Sequence, residues 1–589
     1  MSVMAYMPYG AGGIIIRVET DIRRGIPGVD ITGLAEGAVR EARDRVRAAF
    51  RNSGFQFPLD RILINLAPAG LKKDGAALDL PIALSVMAAA GLASISGDIL
   101  VMGELELSGK IRPVRGVLAA IAAGLAEGIT EFIVPAENAR EAAILISRGN
   151  VVTGNGVSKI AKKDARFTAA ENLQGAVHAL FIREQKGYLP ASLETSGSTT
   201  ADSVKADGSV AVQSAGNNIS GSDSEVGDFE VGDFEIGDFA EVRGQAVYKR
   251  ALEITAAGGH NALVFGPPGA GKTMLARRLP SIMAPLSSDE AVEVTRLYSL
   301  AGPFSNNGNF IEQLITHPPL RSPHHRASAV GILGGGRIPR PGESSLAHFG
   351  VLFLDEAPEF RINVLQALRE PLEDRVISIV RAEGPVRLPA EFQLLMTANS
   401  CPCGRLGIQE IDRACFCSPQ EISRYWRKFS GALLDRVEIR VAVLPPKFSE
   451  MSSSAATAGE ESSAQIAKRV RTAVEIQRHR FKRMRHLLGD STGGALNSGT
   501  TYCGIRRNAL LPAGKTATLC PMTEKAEKAF HAAIAKLGLS GRAYHGILRV
   551  ARTIADLEAK DIIETEHILE AVHFRRLGED PWEILEISK

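Results

Sequence analysis

The sequence lacks any apolar run of the roughly 18–20 residues that a membrane-spanning helix needs. Its first thirteen residues have neither the positive charge nor the apolar core of a secretory signal peptide. Cysteine is scarce, six among 589 residues, and four of the six fall in one short stretch. This clustering suits a metal site in a reducing compartment better than a secreted disulfide framework. These absences predict a soluble cytoplasmic protein without a membrane partner.

Net charge is also nearly absent, at +2, so bulk charge favours neither a nucleic-acid partner nor its absence. Any basic surface must be local. Hydrophobic residues make up 45% of the chain, which excludes a mainly disordered protein. A chain of 589 residues is too long for one compact domain, so about three are expected.

Apolar periodicity predicts an α/β domain over residues 1–170. Its predicted strands and helices alternate along the chain: strands Gly13–Val18, Ile62–Leu66 and Phe132–Val134, and helices Gly37–Asn52, Leu80–Ala90 and Val117–Glu127. Beyond it we predict a linker (171–237), an α/β core (238–450) and a helical domain (464–589).

Residues 189–223 are rich in Ser, Gly, Thr, Ala and Asp and have almost no large apolar side chains, a composition typical of a flexible linker. The linker ends in three copies of a Gly-Asp-Phe repeat starting at Val226, Val231 and Ile236. Only the last copy continues into Glu241–Gln245. The first two are interpreted either as duplications of the segment that leads into the core or as plain low complexity.

The strongest motif is a glycine-rich loop between a short apolar strand, Asn261–Phe265, and a helix that starts at Met274. This context is that of a P-loop. Backbone N–H groups of the loop would surround phosphate oxygens, Lys272 would contact the β and γ phosphates, and Thr273 would bind Mg²⁺. The predicted ATP-binding residues are Gly266, Pro267, Pro268, Gly269, Ala270, Gly271, Lys272 and Thr273.

Two acids end a second predicted buried strand, Val351–Leu354. Asp355 would hold Mg²⁺, directly or through water, and Glu356 would polarise the attacking water. Many strands end in acids. Because this strand follows a P-loop in the same predicted domain, the two acids are interpreted as part of the nucleotide site.

Three further polar residues are candidates for contact with the γ-phosphate. Asn399 follows the apolar strand Phe392–Thr397, where the alternative is a turn-forming asparagine. Arg436 could reach a neighbouring subunit as an arginine finger, the alternative being a salt bridge with Asp435. Arg542 could contact phosphate from the helical domain, with Arg549 on the same helix as its rival.

Two loops, one hairpin and one helix could contact a polymer. The Gly/Pro-rich loops 321–342 carry the candidate DNA-contact residues Arg321, Arg326, Arg337 and Arg340, and a predicted hairpin with its turn at Gly384-Pro385 adds Arg381 and Arg387. A solvated loop and a hairpin that only packs on the core are the alternatives. The basic run Ile466–Leu488 could also face nucleic acid or be a solvated helix face.

Four cysteines, Cys401, Cys403, Cys415 and Cys417, supply the number of thiolates that tetrahedral Zn²⁺ takes. The spacing C-x-C is tighter than the usual C-x₂-C. An iron–sulfur cluster needs the same four thiolates, and ordinary reduced thiols are the third reading. A metal here, so close to Asn399, could brace that residue.

Several segments in order resemble the ComM/YifB family of magnesium-chelatase-like AAA+ ATPases: Asn52–Pro58, Asn65–Gly75, Gly258–Asn261, Arg321–His325, Ser345–His348, Cys401–Gly404 and Ala551–Leu557. The resemblance covers nearly the whole chain except residues 189–237. It implies a bacterial ring ATPase, a homohexamer, with ATP and Mg²⁺ as cofactors.

The same resemblance assigns roles to the candidates. It implies that Asn399 is sensor 1, Arg436 the arginine finger and Arg542 sensor 2. Residues 321–341 become the helix-2 insert, 376–388 the pre-sensor-1 hairpin, and 464–589 the C-terminal helical lid of a P-loop AAA+ α/β core. ComM-like members are branch migration helicases that act on branched or single-stranded DNA in natural transformation, with recombination proteins as possible partners.

The N-terminal segment resembles a Lon-protease-type α/β domain, through Gly109–Val117 and Ile133–Asn138. Peptide hydrolysis there needs a serine nucleophile and a lysine base. The corresponding positions hold Ala77 and, in 116–120, no lysine, with Ala120 the expected match. This domain is therefore predicted to be catalytically inactive and to serve interaction or DNA binding.

Two departures from the family pattern are Ser400, where proline is usual, and the long linker. The resemblance leaves four functions: a DNA motor, a magnesium-chelatase motor, an ATP-dependent protease and a protein remodeller. Ala77 and Ala120 disfavour the protease. A Lon-like N-terminal domain, which chelatase ATPase subunits are expected to lack, argues against the chelatase.

Overall fold

The computed structural model of the chain describes residues 3–34, 37–73, 75–95, 97–146, 150–153, 156–159, 165–185, 237–302, 310–381, 384–407, 415–445, 461–483 and 505–576. The predicted linker segment 189–223 and the first two repeat copies lie outside the described residues. No helix within the described ranges is long and apolar enough to cross a membrane. The described residues form two compact units, the first drawn from 3–153, 157–185 and 299–313, the second from 237–298 and 314–576.

The first unit is built on a seven-stranded mixed sheet of order β11-β8-β5-β1-β2-β4-β3. Its strands are β1 (Val3–Met7), β2 (Ile14–Arg23), β3 (Gly28–Thr32), β4 (Arg61–Ala67), β5 (Ile99–Val101), β8 (Glu131–Pro135) and β11 (Arg166–Ala170). Short hairpins are formed by β6 (Glu104–Leu105) with β7 (Ile111–Arg112) and by β9 (Asn150–Thr153) with β10 (Gly156–Lys159).

Five helices accompany this sheet: α1 (Gly37–Asn52), α2 (Asp79–Ala89), α3 (Val117–Ala126), α4 (Ala139–Ile146) and α5 (Leu173–Gln185). Strands β2 and β4 alternate buried and more exposed side chains, because one face of each lies on the core. Helix α3 is apolar on nearly all sides and is accordingly buried along most of its length. The three predicted strands and three predicted helices of this region are all present.

Helix α5 corrects the predicted start of the linker at residue 171. Leu173, Ala176, Val177 and Leu180 are buried in the same core as strands β1 and β2. Their spacing of three and four residues puts them on one face of the helix. Residues 173–185 are therefore part of the N-terminal fold, because their apolar stripe completes its core.

The second unit contains a five-stranded parallel sheet of order β13-β16-β19-β12-β20. The strands are β12 (Ala262–Phe265), β13 (Leu320–Arg321), β16 (Val351–Leu354), β19 (Gln393–Ala398) and β20 (Ile439–Ala442). Strands β12, β16 and β19 are buried at every residue, as the continuous apolar runs of a covered parallel sheet predict. In such sheets ligands bind beyond the carboxyl ends of the strands.

The helices around and between these strands are α6 (Ala246–Gly258), α7 (Lys272–Arg277), α8 (Leu279–Ile282), α9 (Ser288–Ala301), α10 (Ala329–Leu333), α11 (Glu343–Leu346), α12 (Ile362–Ala367), α13 (Arg369–Asp374), α14 (Pro419–Trp426) and α15 (Gly431–Leu434). Two small antiparallel hairpins lie between β13 and β19: β14 (Gly334–Gly335) with β15 (Arg340–Pro341), and β17 (Val376–Arg381) with β18 (Gly384–Pro389).

The hairpin β17–β18 is present as predicted, but the predicted turn at Gly384-Pro385 is wrong. Gly384 pairs with Arg381 and Pro385 with Val380, so both residues belong to the second strand. The connection falls on residues 382–383, which lie outside the described residues. Proline is tolerated here because this two-stranded hairpin leaves its strands with open edges.

The C-terminal part is helical: α16 (Ser463–Arg483), α17 (Ala513–Leu519), α18 (Glu524–Leu537), α19 (Gly541–Leu557) and α20 (Thr565–Arg576). The last repeat copy is structural, since Phe239 is fully buried in the core that these helices share. Asp238 accepts hydrogen bonds from the backbone N–H groups of Ala240 and Ser463. This copy therefore fixes the start of the second unit.

Candidate functional site

The glycine-rich loop 266–271 joins β12 to α7 at the carboxyl edge of the parallel sheet. Gly269 and Gly271 both have φ of 79°, a left-handed conformation that favours glycine. A Cβ on Gly266 would lie 2.0 Å from the carbonyl oxygen of Val443. The loop can therefore follow this path only with glycine at these positions, and it leads directly into a helix N-terminus, a binding site for phosphate.

Lys272, the first residue of α7, is only 8% exposed. Its Nζ donates hydrogen bonds to the carbonyl oxygens of Gly266 and Pro267, both at 2.8 Å, and to Oδ1 of Asn399 at 3.2 Å. Burial lowers the pKa of Lys272 to about 8, and the carboxylates of Asp355 and Glu356 act in the opposite direction. The ammonium is thus held in the loop by groups that carry no full negative charge.

Asp355 and Glu356 follow β16 at the same edge. Oδ1 of Asp355 accepts hydrogen bonds from Oγ1 of Thr273 at 2.9 Å and from Oγ1 of Thr397 at 2.6 Å. Thr397 in turn accepts a bond from the backbone N–H of Glu356 at 3.0 Å. A hydroxyl and a carboxylate at hydrogen-bonding distance are oxygen donors of the kind that Mg²⁺ prefers, so the residues present fit this ion.

The side chain of Glu356 is exposed, and its backbone has φ of 50°, a left-handed conformation unusual for glutamate. Such backbone strain persists only where the surrounding structure fixes it. Here the fixing contact is the bond to Thr397 on the neighbouring strand. The exposed carboxylate of Glu356 therefore lies at the carboxyl end of the sheet, directly after Asp355.

Asn399 comes immediately after β19. Besides accepting from Lys272, it donates its backbone N–H to the hydroxyl of Tyr425 at 3.3 Å. Burial raises the pKa of Tyr425, so the hydroxyl stays protonated. Asn399 is therefore hydrogen-bonded to the P-loop through its side chain and to helix α14 through its backbone.

Three residues of this network were not identified from the sequence. Thr397 connects the two acids, and Tyr248 donates its hydroxyl proton to the carbonyl of Lys272 at 2.8 Å. Gln245 donates to the carbonyls of Ala270 at 3.3 Å and Leu444 at 2.8 Å. The left-handed Gln245, with φ of 59°, follows directly on Gly244. Of these three residues, only Gln245 had a local signal in the sequence, the Gly244-Gln245 pair directly before helix α6.

The two candidate phosphate-contacting arginines lie together. Arg436 and Arg542 both donate to Glu373, the latter at 2.9 Å, each to a different carboxylate oxygen. Among the described residues, neither guanidinium bonds to the loop 266–273. The suggested pair of Arg436 with Asp435 does not form, since Asp435 lies 3.4 Å from Arg575 instead. Sequence reasoning missed Glu373, which has no motif of its own.

Arg549, the rival of Arg542, is placed differently. Its side chain is 19% exposed and lies 3.8 Å from Glu438, whereas that of Arg542 is 48% exposed. Burial lowers the pKa of Arg549, and Glu438 opposes this. Arg542 is thus the more accessible of the two for a ligand.

The candidate DNA-contact residues divide into two sets. Exposed side chains are found at Arg326, Arg337, Arg340, Arg381 and Arg387. Arg381 donates to the carbonyl of Gly336 at 2.7 Å, and a Cβ on Gly334 would lie 2.9 Å from Leu388. The hairpins β14–β15 and β17–β18 therefore pack together, and Arg337, Arg340 and Arg381 are called here the two-hairpin patch. Arg387 lies on the opposite face of β17–β18 from Arg381, because Arg387 pairs with Ser378 and side chains alternate along a strand.

Arg321 does not belong to this patch. Its guanidinium donates two hydrogen bonds to Glu343, at 2.6 and 2.9 Å, and lies over the ring of Tyr298. Helix α16 is likewise partly neutralised. Arg469 pairs with Glu253 and Glu461, Arg478 with Glu290 and Arg480 with Asp556. Only part of the predicted basic helix face is exposed, and Arg485 lies outside the described residues.

The four clustered cysteines come together in space. Their sulfur atoms all lie within 4.8 Å of one another, and Cys401, Cys403, Cys415 and Cys417 are free thiols. The sequence alone could not show that the two cysteine pairs meet, because residues 408–414 separate them. A second site for a metal ion is thus available next to Asn399.

In the N-terminal unit, the two positions predicted to have lost a catalytic side chain are well defined. Ala77 lies in a short 3₁₀ turn before α2, and Ala120 is fully buried in α3. Two residues after Ala77, Asp79 accepts two hydrogen bonds from Arg45, at 2.7 and 2.9 Å. The charge of Asp79 is therefore balanced by that of Arg45.

Comparison with protein families gives three matches along the chain. Residues 18–138 match a family described as subunit ChlI of Mg-chelatase, 238–451 one described as magnesium chelatase, subunit ChlI, and 460–575 its C-terminal region. The first match means that the N-terminal region does not by itself argue against a chelatase role, contrary to our expectation.

Individual relatives cover almost the whole chain. The YifB protein of Salmonella typhimurium is 36% identical over 565 residues, 95% of this chain and 94% of that protein. Competence protein ComM of Haemophilus influenzae is 35% identical over 578 residues, 96% of each chain. A Lon protease of Desulfovibrio desulfuricans is 25% identical over 145 residues, 23% of this chain and 16% of that protease, in the N-terminal region.

Proposed function

Because the chain belongs to the ComM/YifB family of magnesium-chelatase-like AAA+ proteins, we propose that it is an ATP-hydrolysing DNA motor that works as a homohexamer. In this proposal it is a branch migration helicase in natural transformation or homologous recombination. The observation that carries the proposal is the two-hairpin patch in the same unit as the P-loop network.

The ATPase part is supported by the arrangement of Lys272, Thr273, Asp355, Glu356 and Asn399. The loop amides and Lys272 would bind the phosphates, while Thr273 and Asp355 would hold Mg²⁺. Bound Mg²⁺ supplies neutralisation of phosphate charge. Glu356 would orient the attacking water, and Asn399, already bonded to Lys272, would complete the pocket around the γ-phosphate.

Arg436 and Arg542 are proposed to act on the nucleotide of a neighbouring subunit. Both guanidinium groups bond to Glu373, and among the described residues neither bonds to the loop 266–273 of its own chain. Two guanidinium groups on one carboxylate leave a net positive charge, which an incoming phosphate would compensate. An arginine supplied in this way typically contributes 10³–10⁵ in rate.

DNA would contact the two-hairpin patch. The segments 326–341 and 376–389 contain five arginines, Arg326, Arg337, Arg340, Arg381 and Arg387, and one acid, Glu383, so their local charge is positive despite the small net charge of the chain. Arginines on loops bind the phosphate backbone without reading sequence. The bond from Arg381 to Gly336 would couple the two hairpins, so both would move together.

The test is ATP hydrolysis by the purified protein without DNA, with single-stranded DNA and with a four-way junction, and with Lys272→Ala as the blank. We expect stimulation by the junction. Arg337→Ala/Arg381→Ala should remove most of it and reduce the salt dependence of DNA binding, by ~0.9 in log–log slope per lost phosphate contact.

Lys482→Ala/Arg483→Ala, two exposed residues at the end of α16, is the matched control. Equal losses in the two variants would contradict a specific role of the two-hairpin patch in DNA binding. Intact hydrolysis without a response to any DNA would contradict the DNA motor and leave the alternatives, a protein remodeller or a magnesium-chelatase-type subunit.

A further inference from the structure

The four-cysteine cluster has the dimensions of a metal shell. Its sulfur–sulfur distances are 3.3 Å for Cys401 and Cys403, and 3.6 Å from each of these to Cys415, with Cys417 inside the 4.8 Å limit. Four thiolates at ~2.3 Å around a tetrahedral Zn²⁺ lie about 3.8 Å apart. A disulfide requires about 2.05 Å. The distances match one shared ion better than two disulfides.

Backbone hydrogen bonds, a left-handed glycine and a helix cap fix the chain around the four cysteines. Gly404 donates its N–H to the carbonyl of Cys401 at 3.0 Å, and its φ of 75° permits the tight turn that brings Cys403 back. The N–H of Leu406 points at the sulfur of Cys401, at 3.4 Å. Directly after Cys417, Ser418 caps helix α14 in a capping box with Glu421. Both cysteine pairs are thus fixed by their own secondary structure.

The cluster is in contact with the nucleotide site on two sides. Cys401 is two residues after Asn399 and fully buried in the core that contains Phe265 and Trp426. Between them, the carbonyl of Ser400 accepts a bond from Trp426 at 3.0 Å. On the other side, a Cβ on Gly404 would lie 2.9 Å from Cδ of Pro268 in the P-loop. Any change in the path of 401–404 would therefore reach both Asn399 and the loop.

We propose that Cys401, Cys403, Cys415 and Cys417 bind one Zn²⁺, and that this ion holds Asn399 and Pro268 in the positions that ATP hydrolysis requires. A closed shell of four thiolates leaves no open coordination position, so the ion is structural. It joins 401–404 to 415–417 across the intervening residues. The coupling half of this proposal rests on the proposed ATPase function, whereas the binding half does not.

The first experiment measures metal content in the purified full-length protein by mass spectrometry. We expect about one zinc per chain, and loss of most of it in Cys403→Ala/Cys417→Ala. The control Cys520→Ala removes a buried thiol outside the cluster and should retain the zinc. Iron with sulfide, or wild-type protein that contains no zinc and takes up none when Zn²⁺ alone is added, would overturn the site.

The second experiment measures ATP hydrolysis without DNA, together with nucleotide affinity. Wild-type protein stripped by a chelator should lose about tenfold in kcat, the scale at which supporting residues act, and regain it with added Zn²⁺. Using stripped wild-type protein avoids dependence on the folding of the variant. Full activity of zinc-free protein would overturn the coupling. If wild-type protein hydrolyses no ATP at all, the ATPase proposal fails, the coupling falls with it, and metal content still decides the site.

Discussion

The two units of this chain differ in the side chains found at the positions where chemistry is expected. In the P-loop unit, Lys272, Asp355 and Asn399 are linked by hydrogen bonds through polar neighbours. In the N-terminal unit, the two positions at which the Lon resemblance implies a serine and a lysine hold Ala77 and Ala120. A shared fold preserves the packing of the core, whereas catalysis depends on a few side chains that can be replaced without disturbing that core.

The two units also differ in the surroundings of one buried lysine in each, Lys73 and Lys272. Lys73 is 1% exposed and donates to the carbonyls of Gly33 and Pro68, much as Lys272 donates to Gly266 and Pro267. Burial lowers the pKa of both. Only Lys272 also has carboxylates acting on it and Asn399 beside it. The first lysine cross-links two backbone segments, and the second is placed to bind an anion.

The largest expected effect separates the two units. Glu356→Gln should lower kcat for ATP hydrolysis by about 10³-fold, because the amide cannot accept a proton from water. Ala77→Ser should leave hydrolysis within about twofold and give no peptidase activity, since the serine would have no lysine base. Both enzymatic assays are run on both variants. Peptide cleavage by wild-type protein would show that the N-terminal unit is not inactive.

A smaller effect tests how the P-loop unit holds its arginines. Glu373→Gln removes the charge that Arg436 and Arg542 share, and we expect kcat to fall about tenfold because both guanidinium groups lose their position. The exposed acid Glu370 on the same helix is the matched control, as Glu370→Gln should have little effect. Nucleotide affinity should change less than kcat. An unchanged kcat would mean that the shared carboxylate has no part in positioning them.

The smallest effect distinguishes the two lysines by pH. Nucleotide should bind the charged form of Lys272, whose pKa is about 8, so protonation is lost and affinity weakens as pH rises through 8. Titration with a fluorescent nucleotide should show about fourfold weaker binding at pH 8.5 than at pH 6.5. Lys73→Met should keep this pH dependence while lowering thermal stability. A flat profile would argue that Lys272 stays charged throughout.

Much of the fold was predictable where the signal is local. The strand, loop and helix around 261–279 and the helix Gly37–Asn52 are encoded by residues next to one another, so their periodicity and glycines suffice. The acids after β16 could be identified for the same reason. The hairpin existed in the pattern, but its turn was placed two residues late, because Gly384-Pro385 is a common turn signal and here lies in a strand.

Contiguous motifs in a fixed order were enough to identify the P-loop, its acids and the family. Which distant groups meet depends on how the chain folds. Glu373 lies 63 residues from Arg436 and 169 from Arg542. Gln245 and Leu444 are 199 residues apart. Helix α5 joined the N-terminal core, and Arg321 was neutralised by Glu343, because burial and pairing are settled by what the folded chain brings into contact.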